Sequence, residues 1–137
     1  MAAFELDPKL AADTAEIERW DLCCVLLMND ANYPWLILVP ARVGLRDFHD
    51  LAAADLPVMT AEIVRASKTL EALFKPIKLN VAALGNQVPQ LHIHVIARRS
   101  DDPAWPKPVW GAVPAEAYDD AARAARIAQL REAFARF

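Results

Sequence analysis

In Pro89-Gln90-Leu91-His92-Ile93-His94-Val95-Ile96, two of the chain's three histidines stand two positions apart. On a β-strand, side chains alternate between faces, so Gln90, His92 and His94 share one face while Leu91, Ile93 and Val95 share the other. The apolar set faces a core, and two imidazoles and an amide line the opposite face at steps of about 7 Å. An imidazole with an ordinary pKa near 6.5 keeps a free ring lone pair at pH 7, which makes it a nucleophile able to attack phosphorus. Neighbours that donate N–H bonds to phosphate oxygens supply the positioning and charge stabilisation such a transfer requires. The same His-x-His spacing presents two imidazoles to Zn²⁺, so a metal hydrolase is a competing reading, with His49, a cysteine or a carboxylate as third ligand. No third ligand stands at a recognisable spacing.

The other chemistry-bearing residues are weaker candidates. His49, in Asp47-Phe48-His49-Asp50-Leu51, reads as a flank of the helix that follows. Cys23 and Cys24 are adjacent, so on a strand they point to opposite faces and cannot easily bond each other; with no CxxC they read as core filler. Arg98 has the parity of His92 and His94 and is a better phosphate candidate than Arg99. Trp105 and Trp110 either close over a base or a dimer interface, or anchor their loop by burial.

These side chains need a frame. Asp7 and Pro8 form a cap and first-turn pair for a short helix, expected as a lid or edge element. The apolar runs 22–28 and 35–40, separated by the turn Asn29-Asp30-Ala31-Asn32-Tyr33-Pro34, predict an antiparallel hairpin. From Asp55, a potential cap, a helix is predicted with Pro57 in its first turn, Leu56, Met59, Ile63, Leu70 and Phe74 along a stripe, and Pro76 as its stop. Strands over 79–84 and 91–97, joined through Gly85-Asn86-Gln87-Val88-Pro89, make a second hairpin. The run 103–111 is too proline-rich for regular structure, and an amphipathic helix is predicted over about 114–137.

The 137 residues fit one domain spanning 1–137. A formal net charge of -3 provides no basic field for a nucleic-acid partner, so any phosphate site must be local. No apolar run approaches a bilayer's thickness and no leader pattern opens the chain, so the expectation is no membrane partner and a cytoplasmic location.

Gln90-Leu91-His92-Ile93-His94-Val95-Ile96 resembles the signature of the histidine triad (HIT) family, His-φ-His-φ-His-φ-φ, with Gln in place of the first His. The order of hairpin, Val39-Pro40 strand end, Phe48-His49-Asp50-Leu51, long helix, strand into Gly85-Asn86, histidine strand and Trp-Pro loop is similar to that family over about 20–111. The resemblance implies an α+β meander of about five antiparallel strands, with one long helix packed on it and a C-terminal helix, paired into a homodimer. It also implies attack by the middle His on the α-phosphate of a nucleotide, a nucleotidyl-histidine intermediate, and transfer to water or another acceptor, with no metal or cofactor. The catalytic set is then His92 as nucleophile, His94 in a phosphate-contacting network, and Gln90. Asn29, Asn86 and Gln87 fall where the family touches ribose or phosphate, and Arg98 joins them by parity. The implied partner is a small-molecule nucleotide, of dinucleoside polyphosphate or nucleoside phosphoramidate type. Two features depart from the family: Gln90 cannot titrate, and the preceding loop keeps a single glycine, Gly85. A nucleotide-binding module without turnover is the remaining alternative.

Overall fold

The two apolar runs of the first hairpin lie at the centre of the fold. In the computed structural model, which describes residues 3–137, the chain runs α1 (Pro8–Asp13), β1 (Thr14–Arg19), β2 (Cys23–Met28), β3 (Trp35–Pro40), a 3-10 turn (Phe48–Asp50), α2 (Leu56–Phe74), β4 (Lys78–Ala82), β5 (Ile93–Arg98) and α3 (Asp120–Phe134). Met1 and Ala2, included in the single-domain expectation, lie outside the described residues. The strands form one antiparallel sheet in the order β1-β2-β3-β5-β4, so the architecture is α+β. Val25, Leu26, Leu36 and Leu38 are fully buried because β2 and β3 are covered on both faces, which is why they read as continuous apolar runs.

Each face has its own core. Cys23, Val25 and Leu27 of β2, Leu36 and Leu38 of β3, and Ile93 and Val95 of β5 pack under α2 and α3. Cys24, Leu26, Trp35, Ile37, Val39 and Ile96 pack on the other side, under Leu10 of α1 and under Ala104 and Val109 of the proline-rich loop. The two cysteines are free, buried and on opposite faces, as strand alternation requires.

α2 lies on the sheet through Met59, Glu62, Ala66, Thr69 and Leu70. A fully buried Leu or Met contributes on the order of 1.5–3 kcal/mol, so this stripe rather than helix propensity holds α2 in place. The stripe is centred differently from the predicted one: Leu56 is exposed, and Glu62 is buried because its carboxylate accepts the backbone N–H groups of Leu22 at 3.0 Å and Cys23 at 2.9 Å. Asp55 stands at the N-cap, but its carboxylate accepts from Arg42 instead of capping. Lys75 ends the helix in the left-handed region just before Pro76.

Four boundaries move. β1 carries too little pattern to be predicted from sequence, since Thr14–Arg19 has one inward apolar residue, Ile17, among charged neighbours; an edge strand needs no more. The sheet therefore begins at Thr14, not near residue 20. β4 ends at Ala82 and β5 begins at Ile93, so His92 stands just before the ladder. α3 begins at Asp120, capped by Asp119, because residues 114–118 bond instead to the β2–β3 turn: the Ala31 N–H donates to the Glu116 carbonyl at 2.6 Å, and Asn32 Nδ2 to the Pro114 carbonyl at 3.1 Å. Among the described residues no helix is long and apolar enough to cross a membrane.

Candidate active site

In an antiparallel pair, residues directly opposite each other share a face. β3 meets β5 with Ile37 opposite His94 and Trp35 opposite Ile96, so Ile37 lies on the histidine face and so, two residues away, does Trp35. The Trp35 indole Nε1, which can only donate, donates to His94 Nδ1 at 3.0 Å. His94 Nδ1 is therefore the acceptor, and its proton sits on Nε2. Burial, and then the neighbouring His92, push the His94 pKa down to about 4, which keeps the ring neutral at physiological pH.

His92 has the opposite tautomer. Its Nδ1 lies 2.7 Å from the Gln90 carbonyl oxygen. A carbonyl can only accept, so Nδ1 carries a proton and the lone pair of the neutral ring lies on Nε2. The two rings meet edge to face at 4.9 Å, and Trp110 abuts His94 at 5.0 Å and Trp35 at 5.9 Å in the same manner.

Both rings line a cavity of about 320 Å³. Asn86 and Gln87, both exposed on the turn 84–88, line it too. Lys9, Leu10 and Asp13 of α1 also line it, with Met28, Trp35, Ile37 and Trp110. Lys9 Nζ pairs with Asp13 Oδ2 at 2.7 Å; an exposed i,i+4 pair contributes only about 0.3–0.5 kcal/mol, so it exchanges readily for a better anion. A larger open groove of about 820 Å³ between β1, α2 and the C-terminus contains neither histidine.

Three expected site residues are engaged elsewhere. The Gln90 side chain turns from the cavity to the N-terminal segment, its Oε1 accepting from the Asp7 N–H and its Nε2 donating to the Glu5 carbonyl, both at 2.9 Å. Asn29 Oδ1 accepts the Tyr118 N–H at 2.9 Å and anchors the segment leading to α3. Arg98 shares the histidine parity, but its guanidinium is 1% exposed and donates to Asp102, Asn80 and the Lys107 carbonyl. It clamps the proline-rich loop and does not line the histidine cavity. His49 is exposed beside Asp50 and away from the cavity. The two loop tryptophans divide, with Trp110 lining the cavity and Trp105 covering Arg98.

Comparisons with known proteins agree with this architecture. The model of the HIT domain matches residues 10–101. A histidine triad protein from Bradyrhizobium japonicum is 44% identical, covering 97% of this chain and 99% of its own, with a TM-score of 0.94. One from Marinobacter aquaeolei is 43% identical, covering 98% of each chain, with a TM-score of 0.95. A hypothetical histidine triad nucleotide-binding protein from Sulfolobus tokodaii, 13% identical and covering 90% of this chain and 85% of its own, shares the fold with a TM-score of 0.69. No curated protein gives a significant match. With its fold, its paired histidines and these matches, the chain belongs to the histidine triad (HIT) family, whose members are in general nucleotide-binding hydrolases and transferases.

Proposed function

We propose that the chain is a nucleotide phosphohydrolase or nucleotidyl transferase acting at an α-phosphate through His92. The observation that carries this reading is the Nδ1 bond of His92 to the Gln90 carbonyl, which leaves Nε2 basic in a ring lining the cavity. Nε2 attacks the α-phosphorus; a P–N bond forms while the bond to the leaving group breaks, and the leaving group departs with that electron pair. The imidazolium keeps its Nδ1 proton on the Gln90 carbonyl. Water or another acceptor then attacks phosphorus, the P–N electrons return to Nε2, and the acceptor's proton passes to solvent. The Nε2–H of His94 and the amides of Asn86 and Gln87 are donors that line the cavity for phosphate oxygens. The backbone, not the side chain, of Gln90 fixes the nucleophile's tautomer, so replacing the triad's first His leaves that function in place.

The metal-hydrolase alternative gains no support from geometry, because among the described residues no three His, Cys, Asp or Glu side chains converge as a ligand set. Release of nucleoside monophosphate from a dinucleoside polyphosphate and from a nucleoside phosphoramidate tests the proposal. His92→Ala is expected to lower it by at least about 10³-fold, and retention within tenfold would overturn the assignment. Thermal stabilisation by a nucleoside monophosphate with no product from any donor would favour the binding module instead.

A further inference from the structure

The Gln90 side chain, displaced from the chemistry, ties down the segment that walls the cavity. Its amide holds the backbone of Glu5 and Asp7 across more than eighty positions of sequence, through one accepted and one donated bond of 2.9 Å. Asp7 in turn caps α1, its Oδ1 accepting the Lys9 N–H at 2.8 Å, and Leu10 is buried in the core beneath the histidine face. A six-residue helix is far too short to hold itself together, so these contacts set where α1 lies. They set it against the cavity, where Lys9 is the only lysine or arginine in the lining among the described residues.

We propose that α1, latched by the Gln90 amide, is the wall that receives the leaving group, and that Lys9 selects nucleotides carrying further phosphates beyond the α-phosphate. This rests on the nucleotide reading above and narrows it to polyphosphate donors. A terminal phosphate with a second pKa near 6 departs as an anion at pH 7, so it needs a counter-charge and not a proton. The cavity is built for that case: His94 is neutral and donates only a hydrogen bond, whereas Lys9 offers a full charge held by an exposed, exchangeable partner, Asp13.

Equilibrium titration with nucleoside monophosphates and with the uncleavable α,β-methylene triphosphates, in adenine and guanine series, tests this independently of turnover. The wild type is expected to bind the triphosphate analogue of its preferred base at least about tenfold more tightly than the monophosphate. Lys9→Ala should erase most of that ratio and Lys9→Arg should keep it. Gln90→Ala should reduce the ratio and speed hydrogen exchange over residues 5–10. A wild-type ratio in Lys9→Ala, equal weakening of both ligands, or unchanged exchange in Gln90→Ala would overturn the proposal. If the wild type binds neither series, the nucleotide reading falls with it; if His92 is still labelled by nucleotide donors while Lys9→Ala keeps the ratio, only this inference falls.

Discussion

His92 and His94 use their Nδ1 atoms in opposite ways, one donating to the Gln90 carbonyl and the other accepting from the Trp35 indole. The buried His94 should mark the protein's acid response. Its folded pKa of about 4 lies below the ordinary 6.5, so between these values the unfolded chain binds more protons and stability falls as pH drops. The contribution is intact above about pH 6.5 and lost by about pH 4, on the order of 3 kcal/mol in all. Urea unfolding across this window should show a flatter pH dependence in His94→Phe than in the wild type; parallel curves would contradict the assignment. At this scale the sequence is half legible. Strand alternation places His92 and His94 together, because it is a local rule. The roles of Trp35 and Gln90 depend on the β3–β5 register and on a contact with residues 5–7, which no local pattern encodes.

The proline-rich loop between β5 and α3 owes its order to Arg98. Burial alone would raise the pKa of Asp102, yet the Arg98 guanidinium and the backbone N–H groups of Arg99, Trp105 and Ala104 hold it below the usual carboxylate range. Removing one partner of a buried pair strands the other charge, so Arg98→Ala should cost about 3–5 kcal/mol in denaturant unfolding. It should also speed hydrogen exchange over residues 102–107; a loss below about 1 kcal/mol would show that the clamp is not what orders the loop. The elements with strong apolar patterns, β2, β3 and α2, were readable because burial on one or both faces writes itself into their composition. β1 was not, since an edge strand with Ile17 as its only fully buried residue carries too little pattern. α3 starts later than its amphipathic pattern suggests, because residues 114–118 are drawn to the β2–β3 turn by distant partners.

The whole molecule divides its labour by sheet face. α2 and α3 cover the face that carries most of the apolar core, while α1, the 103–111 loop and the histidine cavity share the other. The sheet, its long helix and the family were within reach of the sequence; the cavity was not, because α1 and Trp110 reach it from opposite ends of the chain. The central claim is that His92 Nε2 becomes the covalent carrier of a nucleotidyl group. It is tested most directly by mixing the protein with a dinucleoside polyphosphate, quenching in alkali on the millisecond-to-second scale, and measuring intact mass with fragmentation. The account predicts an added nucleoside monophosphate on His92, absent in His92→Ala and discharged as product accumulates. Product formed with no adduct at any time, or an adduct on another residue, would contradict it.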